Sequence, residues 1–332
     1  MGLLKGKASF TTFKVPTFVQ TFDIITFVRD QLRAFAFRDI DDTFDNVSVG
    51  WVSIHDMFSV DFSSAITSYY VAMALRIDER TVPGAVFRKF VAKEEQRFRE
   101  ERQVRRLSRM TRLQIKERVH AELVRKAKPA PKVVEMVWNT HLSTLTVFTT
   151  GSRVLNIVEA FFKETFGLAI NQTVNDDDLS IRRDFLTWLF CDFMLNGGET
   201  IKELPKITVD GDYVKVSCMN DAQCEEAVWA MVKSPGARVS RITVALDNDG
   251  LQYTIDAKKF DFTSVRLPKN FPLENVETTE EWLFWDRVGL FETVIDHLND
   301  SYDRFVSAKA DIDVEQVISN LSKARNLFVS HN

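Results

Sequence analysis

The sequence predicts an α+β fold: antiparallel sheets with packed helices and a projecting basic helical arm. Two observations predict it. Three pairs of short β-type runs are joined by turn residues, among them Asp210-Gly211 and Asn248-Asp249-Gly250, the chemistry of hairpin connections. Between the hairpins lie stretches whose apolar residues recur at helical spacing.

The elements follow in order. Lys7 to Val15 alternates and is rich in Phe and Thr, a strand pattern closed by Pro16-Thr17. From Phe22 to Phe37, residues Phe22, Ile25, Val28, Leu32 and Phe35 mark one helical face. Val47 to Ser53 and Tyr69 to Ile77 read as strands. Pro83-Gly84 opens a helix expected to run to Leu107. Phe87, Val91 and Phe98 fall within roughly 40° of one line at 100° per residue, with Lys89, Lys93 and Arg97 on the far side. Ser108 or Thr111 can cap a second helix to Lys126, which Pro129 and Pro131 should stop in a stiff turn at the tip of the arm.

Val133 to Thr140 and Thr144 to Thr149 read as a hairpin. Ser152 to Phe166 is helical and closed by Gly167; Ser180 to Leu195 is helical and closed by Asn196-Gly197-Gly198. A hairpin over Lys206 to Ser217 follows, then a helix over Asp221 to Lys233. A third hairpin pairs Arg238 to Leu246 with Leu251 to Ala257, and Phe262 to Leu267 adds a strand. Helices over Thr279 to Val306 and Val314 to Phe328 end the chain. The expected division is an N-terminal region (1–82 with 132–178), the arm (83–131) and a C-terminal region (179–332).

At 332 residues the chain can bury one large core or two smaller ones. Phenylalanine is in excess, 27 against five tyrosines, and packing is the plain explanation. The opening Met1-Gly2-Leu3-Leu4-Lys5-Gly6 is no signal peptide and lacks the myristoylation pattern. No run is apolar and long enough for a membrane span. Three widely spaced cysteines, Cys191, Cys218 and Cys224, fit a reducing, cytoplasmic compartment.

Catalytic signatures are missing from the sequence. It has no phosphate-cradling glycine loop, no C-x-x-C and no H-E-x-x-H, and its five histidines have no partner at metal-ligand spacing. No cofactor, metal or catalytic residue is therefore expected. Two acidic clusters need weighing: Asp39, Asp41, Asp42 and Asp45 in one loop, and Asp176-Asp177-Asp178 in another. A two-metal nuclease needs converging carboxylates. The plainer reading is polar loops and helix caps, with Asp178 or Ser180 leading into the next helix.

Charge is the most informative feature. Arg88 to Lys128 holds fifteen Lys/Arg against six acids, a local +9 in a chain of net charge −4. A solvated helix laced by ion pairs is the alternative, since Glu95–Arg99, Glu101–Arg105 and Glu122–Lys126 have i,i+4 spacing. Six acids cannot neutralise fifteen bases, however, and arginine outnumbers lysine, which suits phosphate. The apolar stripe is too short for a membrane surface. A nucleic-acid backbone is the better partner. The expected contacts are Lys89, Lys93, Arg97, Arg102, Arg105, Arg106, Arg109, Arg112, Lys116, Arg118, Arg125, Lys126, Lys128 and Lys132. No base-reading module is recognisable, so low sequence specificity is expected.

The order of several motifs resembles the bacterial RdgC family of recombination-associated DNA-binding proteins. The matching pieces are Gly50-Trp51-Val52; Val82-Pro83 followed by a charged helical stretch and Ile115-Lys116-Glu117-Arg118-Val119-His120; Val137-Trp138-Asn139 with Gly151-Ser152; and Phe185-Leu186-Thr187-Trp188-Leu189, similar to the family's L-T-x-W helix. The resemblance implies a horseshoe-shaped subunit that pairs at both ends into a ring-shaped homodimer. Such a ring binds duplex DNA without sequence preference and restrains RecA-dependent recombination in the cytoplasm, at the nucleoid. Single-stranded DNA is a further candidate ligand. The family has also been labelled an exonuclease, which no motif here supports. Where family members carry lysines near Ser217-Cys218-Met219, this chain has only Lys215, and its arm uses arginine where others use lysine. A metal-dependent exonuclease using the Asp39–Asp45 loop is the first alternative. A protein–protein scaffold whose arm takes an acidic partner is the second.

Overall fold

A computed structural model describes residues 2–3, 6–16, 24–43, 45–62, 66–67, 69–173, 178–196, 203–210, 215–219, 230–232, 236–246, 250–268, 271 and 280–309. The chain is α+β, with strands that pair almost entirely antiparallel. It divides into two compact units, one made of residues 18–136 with 164–167 and the other of 1–17, 137–163 and 168–332.

The first of these bears the basic segment. Helix α1 (Ile24–Ala34) buries Val28 and Leu32, four residues apart on one face. Strands β2 (Val47–Val52) and β3 (Tyr70–Arg80) pair antiparallel, with Gly50 opposite Arg76 and Trp51 opposite Leu75. Strand β4 (Pro129–Asn139) lies on the other side of β3 and carries the chain into the second unit after Met136. Between β3 and β4 come α2 (Gly84–Arg102) and α3 (Arg109–Lys126).

The Gly50-Trp51-Val52 motif has a clear structural cause. After α1 the chain runs back beside β2. Phe37 N–H donates to Trp51 O at 2.9 Å, and Trp51 N–H donates to Phe35 O at 3.0 Å. A Cβ on residue 50 would stand 2.3 Å from Phe37 Cα, so only glycine lets the two backbones approach. Trp51 is fully buried, and its Nε1–H donates to Thr165 Oγ1 at 2.9 Å. Gly50→Ala is expected to destabilise this unit by about 2–3 kcal/mol, because the obstacle is backbone that cannot rotate away. A fall in the urea midpoint, followed by tryptophan fluorescence, checks it.

In the second unit the sheet runs from the end of β4 through β5 (Thr144–Val147), β1 (Ala8–Lys14), β11 (Phe262–Arg266), β10 (Gln252–Asp256), β9 (Arg238–Ala245) and β7 (Glu203–Asp210) to β8 (Lys215–Met219). The short β6 (Asn171–Gln172) also pairs with β1. Helices α4 (Ser152–Phe166), α5 (Leu179–Asn196) and α6 (Glu280–Lys309) belong here, apart from α4's last turn. Gly167 follows α4 at φ +72°, the left-handed stop expected of it. Asp178 caps α5 by accepting from Ser180 N–H at 2.8 Å.

Thr187, fully buried in α5, donates to Arg183 O at 2.7 Å and accepts from Val239 N–H at 2.9 Å. That pair of bonds ties α5 to β9 and gives the Leu186-Thr187-Trp188 motif its role. Thirteen of the 27 phenylalanines are buried in cores among the described residues. Phe10, Phe13, Phe162, Phe185, Phe190, Phe291 and Phe305 are all fully buried, and Phe10 packs against Phe148, Phe262 and Phe291.

Two elements depart from expectation. The arm's first helix stops at Arg102 instead of Leu107, because Gln103 takes φ 49° and Val104 N–H closes back on Arg99 O at 3.1 Å. Pro129 and Pro131 form no turn; they lie in the first residues of β4. The expected helix at Asp221 to Lys233 is described only at 230–232. The last helix, Val314 to Phe328, lies outside the described residues.

One buried carboxyl makes this unit's stability depend on pH. Asp261 is 4% exposed, and burial pushes it up to about 6, against weaker opposing pulls from the Thr11 hydrogen bond, Lys259 and Arg182. Thr11 Oγ1 lies 2.7 Å from Asp261 Oδ1 and 3.0 Å from Thr149 O. A hydroxyl has one proton to give. A protonated Asp261 donates to Oγ1 and leaves that proton for Thr149. A folded-state value above the unfolded one gives stability that is full near pH 4 and is lost as pH rises through about 6. Asp261→Asn should therefore match the parent at pH 4 and exceed it by about 2 kcal/mol at pH 8. Urea unfolding at the two pH values measures the difference.

Candidate nucleic-acid interface

Helices α2 and α3 pack on each other through a small apolar core of their own. Val91, Leu107, Ile115 and Val119 are buried, with Phe87, Phe98 and Leu123 packed against them. Ser108 caps α3, its side chain accepting from Thr111 N–H at 3.1 Å, as the sequence suggested. The apolar residues take one face of each helix, so the cations must take the others. All fourteen predicted contact residues are exposed: Lys89, Lys93, Arg97, Arg102, Arg105, Arg106, Arg109, Arg112, Lys116, Arg118, Arg125, Lys126, Lys128 and Lys132.

The acids do not neutralise this surface in the way i,i+4 spacing suggested. The pairs Glu95–Arg99, Glu101–Arg105 and Glu122–Lys126 do not form among the described residues. Glu94 instead bridges the two helices, holding Arg97 at 3.0 Å and also Arg118, and Arg97 reaches Glu101 at 3.2 Å. Two acids are thus taken up by two arginines. Arg102 lies over the Phe98 ring at 5.8 Å. Lys89, Lys93, Arg105, Arg106, Arg109, Arg112, Lys116, Lys126, Lys128 and Lys132 join no ion pair among the described residues.

The chain turns back between the two helices, at residues 103–108, and not at 126–132. Arg105 and Arg106 sit in that turn, and Arg109 and Arg112 on the first turn of α3. Exposed apolar side chains share the place: Val104 is 41% exposed, Met110 64% and Leu113 49%. Nothing in the composition of the basic segment singled these out. Lys126 stands at the far end of α3, about 27 Å from its start at 1.5 Å per residue, and Lys128 and Lys132 lie beyond it, Lys132 within β4.

That far end is anchored by a residue the sequence reading missed. Arg80 closes β3. Its guanidinium donates to the carbonyls of Ile40 (2.7 Å), Thr43 (3.2 Å) and Asp45 (3.0 Å), and also to Ala127 O. One side chain thereby joins the aspartate loop to the start of β4. The loop's carboxylates serve its own turn. Asp39 Oδ1 accepts from Asp41 N–H at 2.7 Å, and Thr43 Oγ1 donates to Asp45 at 3.0 Å. Among the described residues no three His, Cys, Asp or Glu side chains form a group that could hold a metal. Cys191 is buried, its thiol pushed up to about 12 by burial, which leaves it a poor nucleophile.

No helix among the described residues is long and apolar enough to cross a membrane. The fold and its charged helical pair define an α+β protein with a concentrated cationic surface. The family model described as "Putative exonuclease, RdgC" matches residues 10–256, so the chain belongs to the RdgC family. That membership puts the chain in a recombination context. Among curated proteins, none matches it.

Proposed function

We propose that this protein is a duplex-DNA-binding protein of recombination that grips phosphates along α2 and α3, performs no chemical step, and acts as a ring-shaped homodimer restraining RecA. The observation that carries the proposal is the set of exposed cations on that helical pair and its turn, most of which join no ion pair among the described residues, within a chain that is otherwise acidic. Such a surface draws a polyanion to one place. The exposed Val104, Met110 and Leu113 give the turn an apolar patch of the kind a two-fold self-contact needs. Met110→Glu with Leu113→Glu should then open one of the two contacts without producing monomers, an outcome sedimentation can read.

The family's description keeps an exonuclease in view as the second reading. One experiment separates the two. End-labelled linear duplex is incubated with the protein and magnesium or manganese. Retarded but intact DNA supports the binding reading. Loss of labelled ends that disappears when Asp39, Asp41, Asp42 and Asp45 are replaced by Asn supports the nuclease. If no DNA is retained even at low salt, the cationic pair serves an acidic protein partner instead. The RecA role is tested by strand exchange, which the protein should slow in proportion to the duplex it covers.

A further inference from the structure

The second unit holds a cavity of about 350 Å³ between the sheet and α6, within the size range of small-ligand sites. Its helical wall carries Glu292, Asp296 and Asp303, and its sheet wall carries Thr146 and Thr173. Among the described residues Lys14 is the one basic residue lining it, so three acids face one cation. Asn139 Nδ2–H donates to Glu292 Oε1 at 2.8 Å and holds that carboxylate in place. Asp296 and Asp303 join no ion pair among the described residues. Burial pushes the Asp296 carboxyl up, and the neighbouring Glu292 and Asp300 push it the same way. The site is thus short of positive charge.

The sheet wall adds an independent sign of a missing partner. Thr146 is only 7% exposed and lines the cavity, and its hydroxyl joins no hydrogen bond among the described residues. The Thr173 hydroxyl, which also lines the cavity, is buried and without a partner among the described residues. A buried hydroxyl such as that of Thr173 is costly unless something satisfies it. Phe148 and Phe291 supply apolar surface between the polar groups. Asp296 and Asp303 are seven residues apart on one helical face, about 10 Å at 1.5 Å per residue, too far for one ammonium to reach both.

We propose that this cavity binds a small aliphatic diamine or polyamine, its ammonium groups held by Asp296, Asp303 and the two threonine hydroxyls and its methylenes laid against Phe148 and Phe291. The chemistry fits each part. Ammonium groups donate and never accept, which matches carboxylates and hydroxyl oxygens. The methylene chain matches the aromatic wall. The proposal does not depend on the DNA reading.

Calorimetric titration of the full chain, without DNA and at constant ionic strength, tests it with putrescine, spermidine, n-butylamine and magnesium chloride. Saturable one-to-one binding of putrescine or spermidine is expected. Asp296→Asn should weaken it about tenfold or more, the effect of removing the charged acceptor of a hydrogen bond. Thr146→Val keeps the side chain's shape and should weaken it severalfold while circular dichroism stays unchanged. Asp303→Asn gives the same reading should Asp296→Asn fail to fold. No saturable heat, or unchanged affinity in folded variants, overturns the proposal. Butylamine binding as tightly as putrescine overturns the two-ammonium geometry. Magnesium competing equally well would show diffuse attraction to an acidic surface in place of a site.

Discussion

Replacing Arg105, Arg106, Arg109 and Arg112 by alanine is expected to lower duplex-DNA affinity on the order of 10³-fold at 0.1 M salt. The estimate follows from counterion release. Each phosphate neutralised adds about 0.9 to the slope of log affinity against log salt, so four lost contacts flatten it by roughly 3.6. Lines that meet near 1 M salt then stand more than three decades apart at 0.1 M. These four residues are chosen because all are exposed and none joins an ion pair among the described residues. Arg97 and Arg118 make a useful contrast, since Glu94 already engages both. Arg97→Ala should cost less than any one of the four. The loss should be equal on two duplexes of different composition, because phosphate contacts carry no base information. An unchanged slope in the quadruple variant would move the DNA elsewhere. A loss confined to one duplex would reveal a base-reading element.

Features set by neighbouring residues in the chain were readable in the sequence. The span of α4, the Asp178 and Ser108 caps, and the hairpin of β9 with β10 all follow from local rules of periodicity, capping and turn chemistry. The arm's existence was equally plain, since charge concentration needs no tertiary knowledge. What stayed hidden depends on residues far apart in sequence. Glu94 pairs with Arg118 across 24 positions, and no i,i+4 rule anticipates that. The Gly50-Trp51-Val52 motif was visible as a pattern, but its cause is the return of Phe37 beside it. The prolines at 129 and 131 read as helix stoppers, which they are, and as a turn, which they are not. Arg80 drew no reading from sequence, where the strand was expected to end at Ile77. Its hydrogen bonds reach carbonyls 35 to 47 positions away, which only the fold brings together. The cavity beside α6 was equally invisible, since its polar walls come from strands and a helix far apart in the chain.

A pair inside β3 illustrates the same limit and carries the largest expected effect on stability. Arg76 and Asp78 stand two residues apart, on one face of a strand. The strand expected from sequence ended at Ile77, and nothing there singled out either residue. Both are buried, at 6% and 1% exposure. Arg76 Nε–H donates to Asp78 Oδ1 at 2.8 Å and its NH2 group to Oδ2 at 2.7 Å, a two-pronged pairing. The guanidinium also lies 4.2 Å from the centre of the Phe37 ring. The hydrogen bond to Asp78 raises the Arg76 pKa further above its already high value, against the opposing pull of burial, so it stays charged throughout. Asp78→Ala would leave that charge buried, with Asp39, 3.9 Å away and exposed, and Asp41 as its remaining carboxylate neighbours among the described residues. Removing one partner of a buried pair costs about 3–5 kcal/mol. Asp78→Ala is therefore expected to destabilise the unit by that amount and to speed hydrogen exchange at the β2–β3 amides. The double variant Arg76→Met, Asp78→Val removes both charges and should recover most of the loss, because the desolvation cost of the pair goes with it. Urea unfolding of the two singles and the double closes the cycle. A single variant as stable as the parent would mean that water reaches Arg76 and that the pair is not sealed. A double variant as weak as Asp78→Ala would place the cost in lost packing against Phe37 and not in the uncompensated charge.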